Sequence, residues 1–182
     1  TLLDSVYAEL GSDEYSYVAL DSQLCGDEIA VGIIYKPAVV SLHGNPVTSS
    51  EAPFDYGNRQ PLLQSFSVNS NGEAFTLAIN HFKSKGSCGS ATGNNADLGD
   101  GQGCWNELRT QAAQGLISLV EQNSDVLSDR VIVMGDLNAY AKEEPILVLE
   151  EAGYSNLVNF FDGDSAYSYS FGGEIGYLDH AL

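Results

Sequence analysis

Apolar residues fall into short runs whose period changes along the chain, and each change marks an element. "TLLDSVYAEL" has apolar positions at 2, 3, 6 and 10, the spacing of a short amphipathic helix, and "GSDEY" ends it. "EIAVGIIYKP" is apolar up to a proline and reads as a buried strand stopped by Pro37. "PLLQSFSV" and "EAFTLAINHF" flank "NSNG", which predicts a β-hairpin turning at Asn71 and Gly72. After a long glycine-rich stretch, Trp105, Leu108, Ala112, Leu116 and Leu119 recur at three- and four-residue spacing, as on one helix face. "RVIVMG" returns to a strand. "EEPILVLEEAGY" predicts a short helix, with Pro145 suited to its first turn and Gly153 to its end. The tail "AYSYSFGGEIGYLDHAL" alternates aromatic and small residues like a strand or hairpin. Hairpin-paired strands with helices inserted between them predict a layered α/β (α+β) sandwich in a single domain spanning 1–182.

Composition narrows the class. Hydrophobic residues make up 43% of the 182, a globular proportion, so one domain can bury a sizeable core. No apolar run approaches the ~20 residues of a membrane span. Thr1 opens without a signal peptide, as expected of a mature or excised segment. With 7 Lys and Arg against 25 Asp and Glu, the net charge of −18 argues against a broad non-specific nucleic-acid surface. The cations are placed unevenly, however. Lys36, Arg59, Lys83 and Lys85 lie at or near predicted strand ends and Arg109 on the predicted helix, so a small cationic mouth on an acidic body and scattered solvated charges both remain open. Three cysteines leave an odd count. Cys88 and Cys104 flank "GSATGNNADLGDGQG", which has little apolar content to hold it. A disulfide would staple that loop and imply an oxidising, extracellular compartment, leaving Cys25 free or paired elsewhere.

The chemistry-bearing residues gather just past strands. In "VIVMGDLNAY" a continuous apolar run, as in a strand covered on both faces, meets Gly135 and then Asp136 and Asn138. If the chain stays extended, those two side chains point the same way, as a phosphate or hard-cation site requires. The alternative is an Asp/Asn turn bonding its own backbone. Asn80, His81 and Lys83 follow another strand, Arg59 precedes one, and Asp179 ends "GYLD". Phosphodiester hydrolysis demands these types: cations and a metal for charge on the phosphate oxygens, a histidine to move protons near neutral pH, and an acid to orient it. Asp27 or Glu28 is the candidate orienting acid. His43 reads as a loop histidine and His180 as a packed or strand-edge residue. Asp97 and Asp100 lack EF-hand spacing and its closing Glu, which weighs against a calcium loop. The tyrosines of "AYSYSF" read as packing residues rather than base-stacking ones.

Six blocks, "GDEIAVGIIYKP", "NRQPLLQSF", "LAINHFKSKGS", "GDGQGCWNELRTQAAQGL", "VIVMGDLNAY" and "YSYSFGGEIGYLDHAL", occur in that order. Together the chain resembles the secreted bacterial extracellular deoxyribonucleases of the endonuclease/exonuclease/phosphatase superfamily. The resemblance implies the fold shared with pancreatic deoxyribonuclease, a four-layered α/β sandwich of two packed mixed β-sheets flanked by helices. It implies an extracellular endonuclease that hydrolyses DNA, with RNA as the alternative substrate, with little sequence preference, as a monomer away from membranes, using Mg2+ or else Mn2+ or Ca2+. Asp136 and Asn138 would contact the scissile phosphate, the attacking water and the metal. His81 would be one of two active-site histidines, with Asp27 or Glu28 as partner. Arg59 would bind phosphate, Asp179 would orient the second histidine, and Asn80, Lys83 and Arg109 would shape the substrate groove. The family's early metal-binding glutamate is expected before Thr1, and its closing Ser-Asp-His motif after Leu182, so the chain reads as the central piece of a larger enzyme. The alternatives are a phosphodiesterase or phosphatase acting on lipid or inositol head groups, and a catalytically silent binding module.

Overall fold

The computed structural model describes residues 2–10, 14–20, 29–171 and 173–182, so Cys25, Asp27 and Glu28 lie outside the described residues. The elements run α1 (Leu2–Leu10), β1 (Ser16–Tyr17), β2 (Ile34–Tyr35), β3 (Val40–Val47), β4 (Leu62–Val68), β5 (Ala74–His81), α2 (Asn106–Gln122), β6 (Val131–Asp136), α3 (Glu144–Glu151), α4 (Leu157–Asp162), β7 (Tyr169–Phe171), β8 (Glu174–Gly176) and β9 (Asp179–Ala181). The main sheet has strand order β3-β4-β5-β6-β9. It is mixed: β5 and β6 run parallel, joined through α2, and the other pairs are antiparallel. The α/β class expected from the alternating strands and helices is the one observed.

The period-two pattern of β4 and β5 separates two cores. Leu63 and Ala78 face α2 and α3, where Ala112, Ala113, Leu116, Ile146 and Leu149 close over them with Val133 of β6. Leu62 and Phe66 face the opposite way and pack with Val18 and Ile33, which flank the two-residue β1–β2 ladder. Among the described residues that cluster takes in β3, β4 and β5 but no residue of β6. Met134 is accordingly 38% exposed, so β6 is buried on its helix side and open on the other, not covered on both faces as its apolar run suggested.

Three further differences have local causes. "EIAVGIIYKP" forms a ladder only at Ile34–Tyr35, the remaining described residues being irregular. Residues 40–47, with His43 in their midst, form an edge strand rather than a loop. A register shift between His43 and Val47 accommodates Gly44 and Pro46 there. The hairpin tail extends further than expected: β7 and β8 pair with each other, and β9 then joins the main sheet beside β6. Tyr167 and Tyr169 are 69% and 44% exposed, so they do not pack in a core.

Cys88 and Cys104 form a disulfide, 16 residues apart in sequence. Closing a loop of that length stabilises the fold by about 3 kcal/mol through the unfolded chain's lost freedom. Within the loop, Asp97 and Asp100 accept the N–H groups of Gly99 and Gln102, so each carboxylate serves a turn. Asn95 accepts the Leu108 N–H, so the loop also caps the start of α2.

Candidate active site

The sheet register builds the site. In the parallel β5–β6 pair His81 lies opposite Asp136, and in the antiparallel β6–β9 pair Asp136 lies opposite Asp179. Residues paired across neighbouring strands project from the same face, so His81, Asp136 and Asp179 form one row at a single end of the sheet. His81 Nε2 stands 3.9 Å from Asp136 Oδ2. The adjoining row, Asn80, Gly135 and His180, faces the other way. Gly135 has φ +130°, and a Cβ there would lie 2.0 Å from the Asn80 carbonyl oxygen, so only glycine lets the strand ends approach this closely.

Arg59 is delivered by the chain that enters β4: its N–H donates to the His81 carbonyl at 2.9 Å. Asn58 is the strut behind it. Its Nδ2 donates to Pro53 O and Leu108 O, and its Oδ1 accepts the Lys83 N–H, tying three segments together from a site only 4% exposed. Sequence reading passed over Asn58. The amide's position between two loops was its only signal, and that signal is tertiary. Arg59, His81 and Lys83 line a cavity of about 900 Å3 together with Tyr56, Gln60 and Ser84. The Lys83 ammonium lies 5.0 Å from the centre of the Trp105 ring. Burial, then Arg109 and Arg59 nearby, lowers the Lys83 pKa, consistent with a crowded cationic wall.

Asp136 and Asn138 are not aligned by extended backbone. The strand stops at Asp136, Leu137 turns fully inward, and Asn138 adopts a left-handed φ of 50°. Asp136 Oδ1 accepts the Asn138 N–H at 2.9 Å, which is the Asp turn, while Oδ2 faces His81. The Asn138 amide donates to Phe82 O at 3.0 Å and so clamps the β6 loop to the segment after His81. Burial pushes the Asp136 carboxyl above its ordinary range, and Asp179 adds to this; the Asn138 N–H and His81 oppose it.

Two residues expected near substrate lie elsewhere. Arg109 is wholly buried and donates to the carbonyls of Lys83, Cys104 and Gln102, so it braces the loop from inside instead of lining a groove. Its helical face turns toward the core because the disulfide loop folds over it. Asn80 is 2% exposed, on the row that faces away from His81, and its amide donates to Ala78 O. Lys85, in contrast, gains a role: its ammonium lies 2.6 Å from both oxygens of the 5%-exposed Glu143 and 2.7 Å from Gln102 O. That pair joins the segment after His81 to the loop after Asp136. His180 is buried, its ring nitrogen Nε2 2.8 Å from Ala139 O.

The oxygen donors suit a hard divalent cation. Asp136 and Asp179 are electrostatically coupled neighbours, and Mg2+ typically takes one or two protein carboxylates and keeps several waters. Among the described residues no three His, Cys, Asp or Glu side chains gather into a complete cage. Among the described residues, no helix is long and apolar enough to cross a membrane.

No protein-family model and no curated protein matches the chain. Solved structures do. The human Nocturnin catalytic domain with bound sulfate superposes with a TM-score of 0.66 at 15% identity, covering 98% of this chain and 63% of that one. An endonuclease/exonuclease/phosphatase family protein from Bacteroides thetaiotaomicron gives 0.57 at 14% identity, over 98% and 63% of the two chains. A mannosyl-6-phosphatase of the same organism gives 0.54 at 13%, over 98% and 65%. The chain thus spans just under two thirds of the length of these structures. Its fold is the α/β sandwich of the endonuclease/exonuclease/phosphatase proteins.

Proposed function

We propose that the chain forms the phosphate-handling part of an extracellular, divalent-metal-dependent endonuclease that hydrolyses DNA with little sequence preference. The carrying observation is the row His81–Asp136–Asp179 across three adjacent strands, with Arg59 hydrogen-bonded to the His81 backbone beside it. Arg59 and Lys83 hold the phosphodiester by charge at the cavity wall. His81, beside Asp136, holds a proton at Nε2 and passes it to or from a phosphate-bound oxygen. Asp136 and Asp179 would hold Mg2+, or Mn2+ or Ca2+ in its place; the cation supplies neutralisation of charge on the phosphate oxygens. Asn138 keeps the Asp136 loop against the segment after His81, its amide bonded to Phe82 O. Asp27 or Glu28 is proposed as the group that orients His81. The Cys88–Cys104 disulfide supports an oxidising, secreted setting. A net charge of −18 confines the affinity for a polyanion to this cationic mouth, which makes binding sensitive to salt.

Nicking of supercoiled plasmid with Mg2+, Mn2+, Ca2+ or EDTA tests the reading, using the 182-residue chain and a form extended at both ends. Cleavage is expected to require the divalent ion. Asp136→Asn should lower the rate by at least about 10³-fold, the scale of losing one member of a catalytic set. Its melting temperature should stay within a few degrees of the parent, since burial already disfavours the carboxylate. Parental activity in Asp136→Asn, or cleavage undiminished by EDTA, would refute the mechanism.

A further inference from the structure

We infer that Tyr56 is a stacking platform for an unpaired nucleobase next to the phosphate held at Arg59, His81 and Lys83. This rests on the phosphodiester-cleaving reading of that cavity and names the class of substrate it takes. Tyr56 is 67% exposed, a costly position for a large ring, yet the backbone around it is not free to withdraw it. Phe54, 4% exposed, anchors one side in the core. Asn58 anchors the other through its bonds to Pro53 O, Leu108 O and the Lys83 N–H. Between them Gly57 has φ +77°, and a Cβ there would stand 2.9 Å from Leu108 Cδ2 and 3.1 Å from Lys83 Cδ. The Asn58 N–H donates to the Tyr56 carbonyl at 2.9 Å, closing the turn. Two buried anchors and a glycine at positive φ therefore fix the backbone on both sides of Tyr56, whose exposed ring lies at the wall of the cavity that carries the three cationic or protonatable residues.

Other exposed aromatics exist: Tyr17 on β1, Phe160 and Phe161 on α4, and Tyr167 and Tyr169 at the β7–β8 hairpin. Tyr56 is the exposed aromatic that lines this cavity. A ligand that meets a cationic pair and a flat ring together carries a phosphate and a planar π face, which describes a nucleotide. A lipid or inositol head group brings the phosphate without the planar face. Asp55, exposed beside Tyr56, repels a second phosphate at that point and leaves the neutral base as the group that can cover the ring. A base paired inside a duplex presents no free face, so the inference specifies an unpaired base.

The test is fluorescence anisotropy in EDTA, so that binding is read without cleavage. The probes are a fluorescein-labelled single-stranded oligodeoxynucleotide and the same strand with abasic residues throughout, and the proteins are the parent, Tyr56→Ala, Tyr56→Trp and Arg59→Ala. Loss of one base–aromatic stack predicts that Tyr56→Ala binds the base-bearing strand about fivefold or more weakly. The same variant should bind the abasic strand within about twofold of the parent, and Tyr56→Trp should restore the difference. Equal losses on both strands, or none on either, would overturn the inference while leaving the nuclease reading intact. Binding of neither strand, or binding indifferent to Arg59→Ala, would instead overturn the reading on which it rests.

Discussion

Replacing Glu143 with glutamine keeps the side chain's volume and removes its charge, and the consequence can be worked from its surroundings. Glu143 is 6% exposed at the side chain and sits 2.6 Å from the Lys85 ammonium and 3.9 Å from the Arg109 guanidinium. Breaking a buried pair by removing one partner costs roughly 3–5 kcal/mol, because the remaining charge is stranded. Lys85 is 26% exposed at the side chain and keeps its bond to Gln102 O, which places the expected loss below that range. Roughly 2–3 kcal/mol is expected, or a fall of about 4–12 °C in melting temperature for a domain of this size. The assay is a thermal melt followed by circular dichroism on the parent, Glu143→Gln, Lys85→Met and the combined Lys85→Met/Glu143→Gln variant. If part of the cost is a stranded Lys85 charge, the combined variant loses less than the sum of the two single changes, while the Arg109 share remains because its buried guanidinium still lacks the carboxylate. A fall below about 2 °C in Glu143→Gln, or losses that simply add, would show that the pair contributes no coupling. On the proposed function, plasmid nicking should fall in the single variants, because this pair fastens the segment after His81 to the loop that follows Asp136.

Two further outcomes follow from backbone packing and proton linkage. Gly135→Ala forces a Cβ within 2.0 Å of the Asn80 carbonyl oxygen at φ +130°, and should destabilise by about 2–4 kcal/mol in urea unfolding; an unchanged midpoint would mean that β5 yields without cost. His180 is held neutral: burial pulls its pKa below 6.5, against the contact with Ala139 O and the charge of Asp179. With Nε2–H donating to Ala139 O, a second proton on Nδ1 would be buried without an acceptor. The folded state therefore binds fewer protons than the unfolded one below about pH 6.5, so this contribution is full above that value and is lost as pH falls. The parent should lose more melting temperature between about pH 7.5 and pH 5.5 than His180→Gln, and equal losses would refute the assignment.

What the sequence determined by itself is whatever local chemistry enforces. The hairpin at Asn71–Gly72, the apolar face of α2, the proline start of α3 and the strand that begins at Val131 were all legible from periodicity and turn residues. So was the disulfide, because a glycine-rich loop with so little apolar content needs a staple. The placing of His81, Asp136 and Asp179 at strand ends was likewise legible, since each closes or follows an apolar run. Tertiary structure decided the rest, and for a common reason: each remaining feature depends on partners distant in the chain. Register across β5, β6 and β9 aligned His81, Asp136 and Asp179, and one residue of slip would have sent Asp179 to the face that His180 occupies. The left-handed turn at Asn138 broke the extended spacing that would have paired it with Asp136. Burial under the disulfide loop turned Arg109 from a groove cation into an internal brace. A short β1–β2 ladder left Met134 uncovered beside an apolar run that reads as doubly buried. Asn58 and Glu143 carried no signal in sequence, because an amide or a carboxylate becomes a strut only when folding closes water out around it.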